Sequence, residues 1–121
     1  MRTTKIEIHG KEYLLCLSTR VIQNIEERGE TIGSELQKVM NGSVKETFWL
    51  THQMLAAGHK YAQYEGLENP EPPTLDYLLD TIGPDEYKGL YSVIGQAVKN
   101  GSQATVEVEP SKKDDGATQA E

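Results

Sequence analysis

The spacing of apolar and polar residues changes several times along the chain. The longest stretch with helical spacing is residues 43–66. Apolar residues recur there at helical intervals over about half of the circumference, which predicts a helix at 44–65 with neighbours on two sides. Ser43 and Glu46 have the spacing of a capping box, and Gly66 can end the helix in the left-handed conformation. We expect this helix to be the centre of the fold.

Near the N-terminus the apolar residues alternate with a period of two. Residues 5–17 are therefore predicted to form a β-hairpin with His9 and Gly10 as its turn. A two-residue turn places the following side chains on one face: Ile6, Ile8, Tyr13, Leu15 and Leu17. Leu14 and Cys16 then face the other way, so we expect the second strand to be partly covered on both sides.

Shorter stretches of helical spacing predict four more helices. Their ranges are 19–28, 32–40, 75–82 and 85–99. Three prolines among residues 67–74 exclude a helix in the connection after the central one. The sequence therefore predicts an α+β, mainly α fold, in which the N-terminal hairpin packs on a small bundle of about five helices around the long central helix.

The length of 121 residues is typical of one domain, which we place at 1–101. Residues 102–121 are polar with almost no large apolar groups, and we expect a flexible, disordered tail. Within this tail, 104–109 alternates as a strand does. Two interpretations stay open for it: a short strand added to the edge of the hairpin, or an extended tail.

Charge and cysteine content narrow the function classes. The chain has 12 Lys+Arg and 19 Asp+Glu, a net charge of -7, and its cations are not clustered, so we expect no nucleic-acid partner. A single cysteine, Cys16, excludes an internal disulfide and is typical of a reducing compartment. No apolar run approaches the ~20 residues that cross a bilayer, and the first ten residues lack the apolar core of a signal peptide. We expect a cytoplasmic protein with no membrane partner.

Residue types that carry chemistry do not form a pattern in this sequence. His52 and His59 are seven residues apart on the central helix, ~10 Å along its axis, which is too far for one metal ion. Cys16 has no evident base, and its position in a predicted strand favours a packing role. The acidic residues are interpreted as solubilising surface charge. We therefore expect no catalytic residue, no cofactor and no metal, and no enzymatic activity.

One side of the central helix is a candidate partner-binding surface. A helical wheel places Trp49 in the polar arc with Gln53, Ala56 and Lys60, and Tyr64 at its edge. Exposed tryptophan is uncommon, and Trp and Tyr are enriched at binding hot spots. Two interpretations stay open: these five residues bind a partner, or the hairpin or a terminal helix covers Trp49.

Residues 5–29 read KIEIHGKEYLLCLSTRVIQNIEERG, a hairpin of the form x-I-x-I-(D/N/H)-G-K-x-Y-x-L followed by a helix. The helix pattern is matched by Arg20, Ile22, Ile25, Glu26, Glu27 and Gly29. A threonine-capped segment after a proline-containing loop, PPTLDYLLDTI, precedes a last helix and a polar tail. This order of motifs, over residues 3–100, resembles phage and prophage tail assembly chaperones. The stretch HKYAQYEGLENPEPP is longer than that resemblance predicts.

The resemblance implies a mainly helical, non-enzymatic protein that binds the tape-measure protein, and in some members tail-tube subunits, before the tail polymerises. It implies action in the cytoplasm of the bacterial host and absence from the mature virion. Self-association is left open. Two alternatives are another small phage structural or connector protein, and an accessory binding subunit of a cytoplasmic complex.

Overall fold

A computed structural model describes residues 3–101, and within them the chain forms a two-stranded antiparallel sheet and five helices. The strands are β1 (Thr3–Ile8) and β2 (Lys11–Cys16). The helices are α1 (Thr19–Glu27), α2 (Ile32–Met40), α3 (Val44–Glu65), α4 (Leu75–Thr81) and α5 (Lys88–Gly101). The predicted α+β, mainly α fold is confirmed. The tail at 102–121, with its candidate strand at 104–109, lies outside the described residues.

The hairpin has the predicted turn and register. Ile6 pairs with Tyr13, and Ile8 pairs with Lys11 across the turn. His9 has a φ of 49° and the following glycine a φ of 82°. Two consecutive left-handed residues give a turn whose twist matches that of the strands, which fixes the register.

The central helix α3 has the predicted bounds, but its N-terminal cap differs from the prediction. Ser43 Oγ accepts the backbone N–H of Glu46 at 3.2 Å, as one half of a capping box requires. The other half is absent because the Glu46 carboxylate accepts two hydrogen bonds from Arg28, at 2.9 and 3.2 Å. The backbone N–H of Ser43 donates to the carbonyl of Lys38 instead. Charge-assisted bonds to a guanidinium are stronger than a bond to one amide, so the side chain turns away from the cap.

The core lies between the hairpin and the five helices. Its buried members on the helices include Leu50, Met54, Leu55, Leu78, Leu90 and Ile94. The predicted inward face of the hairpin is buried, and Leu14 and Cys16 on the other face are 9% and 1% exposed. The second strand is therefore covered on both sides, as predicted.

Two asparagine side chains hold the hairpin from outside. Asn69 Oδ1, in the loop after α3, accepts the backbone N–H of Leu14 at 3.1 Å. Asn100 Nδ2, near the end of α5, donates to the carbonyl of Thr3 at 3.3 Å and to the hydroxyl of Thr4 at 2.7 Å. These bonds satisfy strand groups that a two-stranded sheet leaves unpaired.

Some predicted boundaries and core positions are wrong. Helix α5 begins at Lys88 rather than at 85, because turns precede it and Glu86 Oε1 accepts the N–H of Gly83 at 2.9 Å. Helical spacing predicts that Met40, Val44 and Leu79 face the core, but they are 75%, 41% and 44% exposed. Met40 and Val44 are the terminal residues of their helices, and in the short helix α4 only Leu78 is buried.

Candidate functional site

A groove of about 710 Å³ lies between α1 and α3 and is the candidate site. From α3 it is lined by Gln53, Ala56, Ala57, His59, Lys60, Tyr61 and Tyr64. The other lining residues are Cys16, Ser18, Arg20, Val21, Asn24 and Pro72. We call it the α1–α3 groove. It brings together four of the five residues predicted to bind a partner, namely all except Trp49.

The α3 wall of the groove is one straight stripe of the helix. From Gln53 to Tyr64 the lining residues follow helical spacing over eleven residues, or ~16 Å at 1.5 Å per residue. Asn24 Nδ2 donates to Gln53 Oε1 at 2.8 Å, which joins α1 to α3 at one end of the stripe. At the other end, Tyr64 is 87% exposed. The groove is therefore elongated along α3, with a hydrogen bond between its two walls near one end and an exposed tyrosine at the other.

Trp49 lies outside the groove lining. It is partly buried against the core cluster, and the guanidinium carbon of Arg28 lies 3.9 Å from the centre of its ring. Trp49 is therefore partly covered. The group over its ring is an arginine just after α1, whereas the sequence suggested the hairpin or a terminal helix. No spacing in the sequence relates these two residues.

We expect Trp49→Ala to lower the free energy of unfolding by about 2 kcal/mol, because the substitution removes partly buried apolar area and the cation–π contact with Arg28. Urea denaturation measures this change. Tyr64→Ala is the matched control, since that ring is almost fully exposed and its loss should change stability by less than about 0.5 kcal/mol. Equal stabilities of the two variants would contradict the packing role of Trp49.

A buried carboxyl pair lies where α1, α2 and α3 meet. The side chain of Glu35 is fully buried and Glu46 is 7% exposed, so the interpretation of all acidic residues as surface charge is wrong for these two. Arg28 Nη1 lies 2.9 Å from Glu46 Oε1 and 3.7 Å from Glu35 Oε2. The burial of Glu35 could have been predicted from the sequence. Glu35 precedes the buried Val39 by four residues and therefore lies on the apolar side of α2.

The two carboxyl groups differ in acidity. Burial, a hydrogen bond to Glu46 and the charge of Glu46 raise the pKa of Glu35 to about 7. Burial also opposes ionisation of Glu46, but hydrogen bonds with Glu35 and Arg28 outweigh it and lower the pKa of Glu46. An ionised Glu35 would have two buried oxygens without a hydrogen-bond donor. These directions favour a protonated Glu35 beside an ionised Glu46 below about pH 7. Neither group lines the groove, so the pair belongs to the junction of the three helices rather than to the candidate site.

The histidines do not form a metal site within residues 3–101. No group of three or more His, Cys, Asp or Glu side chains there is placed to hold a metal ion. His52 is partly buried rather than solvated, and burial lowers its pKa. His59 lines the groove and its Nε2 lies 3.4 Å from Gln63 Nε2. Both rings are therefore partly buried, and His59 Nδ1 has no hydrogen-bond partner among the described residues.

In the part of the chain that the structure describes, no helix has the length and apolar character needed to cross a membrane. A scan against protein-family models finds no match for the chain, and searches of curated proteins and of solved structures find no significant match.

Proposed function

We propose that this protein is a tail assembly chaperone of a tailed phage or prophage, and that it holds a segment of the tape-measure protein in the α1–α3 groove. The proposal rests on the position of the helix motif that resembles this family. Arg20, the first residue of the helix pattern that resembles this family, lines the same groove as Gln53, Ala56, Lys60 and Tyr64. One residue of the matched motif and four of the five predicted binding residues therefore lie on the same surface.

The chemistry of the groove suits this role. A chaperone of this kind must cover apolar segments of its partner and yet stay dissolved without it. Val21, Ala56 and Ala57 give the groove apolar walls, while Tyr61 and Tyr64 combine large ring area with a polar hydroxyl. Lysine and arginine stems add apolar contact while their charges stay in water. Such a surface can bind an apolar segment without being a strongly apolar patch itself.

The proposal includes action in the cytoplasm of the host cell before the tail polymerises, with tail-tube subunits as further partners and without retention in the mature virion. Mass spectrometry of purified particles tests the last point. A chaperone should be absent from finished particles, whereas a structural or connector protein should be present in a fixed ratio to the tail proteins.

The binding test is copurification of the tape-measure protein encoded beside this gene. We expect the tape-measure protein to be retained by the native chain, and Tyr64→Ala to weaken its binding at least tenfold, because an exposed tyrosine at a groove provides hot-spot contact area. Tyr77→Ala is the matched control, because Tyr77 is an exposed tyrosine of α4 outside the groove. No retention by the native chain would refute the function, and equal weakening by both variants would refute the groove as its site.

A further inference from the structure

The α1–α3 groove differs in charge from the rest of the protein. The chain has 19 acidic and 12 basic residues, yet no Asp or Glu is among the described residues that line the groove. The lining has two cations, Arg20 on α1 and Lys60 on α3, and both side chains are exposed. Within residues 3–101 neither of them makes an ion pair. Two unpaired cations therefore flank an apolar groove in an otherwise acidic protein.

The shape of the groove favours an elongated ligand. Its α3 wall extends ~16 Å, which equals three turns of helix. Small side chains at Ala56 and Ala57, midway along this wall, allow the backbone of a second helix to approach closely. Amphipathic helices bind in grooves of this kind through apolar residues at positions i, i+3, i+4 and i+7. A compact small molecule would leave much of the stripe uncovered.

From these observations we infer that the α1–α3 groove binds a partner helix of about three turns, whose apolar stripe is flanked by Asp or Glu side chains that pair with Arg20 and Lys60. The inference rests on the proposed function for the source of the helix, which is then a segment of the tape-measure protein. Its charge preference is independent of that source, because it follows from the groove alone.

Two synthetic peptides test the charge preference. Both are 14-residue, fluorescein-labelled helices of alanine with leucine at positions 1, 4, 5, 8, 11 and 12. One carries Glu and the other Lys on both sides of the leucine stripe. We expect the Glu peptide to bind the full-length protein at least tenfold more tightly by fluorescence anisotropy. Non-specific attraction to a chain of net charge -7 would favour the Lys peptide, so the expected order cannot result from overall charge.

A second experiment reverses the charge of the two cations that line the groove. Arg20→Glu combined with Lys60→Glu should reverse the preference, so that the Lys peptide binds more tightly. The control combines Lys45→Glu with Lys88→Glu, which changes the net charge equally at exposed positions outside the groove. The control should keep the order seen with the native chain. Circular dichroism confirms that both double variants are folded.

Several outcomes would overturn the inference. These are equal binding of the two peptides, tighter binding of the Lys peptide by the native chain, or an unchanged preference after reversal at the groove. If the Glu peptide binds only after residues 102–121 are deleted, a segment of this chain occupies the groove, and the inferred partner is wrong.

Copurification of the tape-measure protein distinguishes failure of this inference from failure of the proposed function. If the native chain and the groove double variant retain it equally, the charge-paired site is wrong and the chaperone function stands. If the native chain does not retain it but selects the Glu peptide, the proposed function fails and the charge preference of the groove is supported.

Discussion

Gly58→Ala is expected to lower the free energy of unfolding by about 3 kcal/mol or more, although alanine favours a helix over glycine by ~1 kcal/mol. A Cβ atom at Gly58 would overlap the carbonyl oxygen of Leu14 and lie 3.0 Å from the backbone nitrogen of Leu15. The clashing atoms belong to the backbone of β2, so no flexible side chain can move aside. Helix α3 would have to shift away from β2, which opens the core that both elements share.

Gly95→Ala is the matched control for this substitution. Gly95 is also within a helix, but no atom lies within 4 Å of a Cβ placed there. Its replacement should raise stability by ~0.5–1 kcal/mol through helix propensity alone. Urea denaturation of both variants measures the two changes. If both glycine replacements stabilise the protein, α3 does not approach β2 as closely as the structure indicates.

The close approach at Gly58 shows what the sequence could not reveal. The bounds of α3 and the register of the hairpin are set by local periodicity, caps and turn residues, so they could be predicted. Gly58 was visible only as a small residue beside an apolar stripe. Its importance comes from the close approach of its backbone to that of Leu14, 44 residues earlier in the sequence, and local patterns contain no information about such a distance.

Only part of the candidate site could likewise be predicted from local sequence patterns. Gln53, Ala56, Lys60 and Tyr64 lie on one stripe of one helix, so a helical wheel was sufficient to group them. Trp49 lies on the same helix, but its surroundings include Arg28, which follows a different helix. The opposite wall of the groove comes from α1, and its contribution depends on how α1 packs against α3. The sequence therefore predicted one wall of the groove and could not predict the groove itself.

The capping residues show a similar limit. Thr31 and Ser34 form a reciprocal capping box at α2, with backbone-to-hydroxyl distances of 2.8 and 3.0 Å. Ser43 and Glu46 have the more familiar capping sequence, but the glutamate binds Arg28. Local spacing predicts which bonds are available to a side chain. Tertiary contacts decide which of them is made, and at Glu46 this choice creates the buried carboxyl pair.

The buried carboxyl pair leads to a prediction about pH. Because the folded-state pKa of Glu35 is raised from 4.5 to about 7, the folded protein binds more protons than the unfolded chain between these values. The contribution of Glu35 to stability is therefore fully present below pH 4.5 and is lost as pH rises through 7. The lowered pKa of Glu46 acts in the opposite sense, but its contribution is lost only as pH falls below 4.5. Of the two carboxyl groups, Glu35 therefore contributes most of the change in stability between pH 5 and pH 8.

Glu35→Gln removes the titrating group and keeps a hydrogen-bond donor for Glu46. We expect the unfolding free energy of the native chain, relative to this variant, to fall by roughly 2 kcal/mol between pH 5 and pH 8. The comparison must be relative, because the lowered pKa of His52 makes stability rise with pH in both proteins. Glu27→Gln, an exposed substitution on α1, is the matched control and should show no such change.

Urea denaturation at pH 5, 6, 7 and 8 measures the difference. A difference between the native chain and Glu35→Gln that stays constant over this range would mean that Glu35 is ionised throughout in the folded protein. In that case Arg28, at 3.7 Å from Glu35 Oε2, would have to compensate both carboxylates at once.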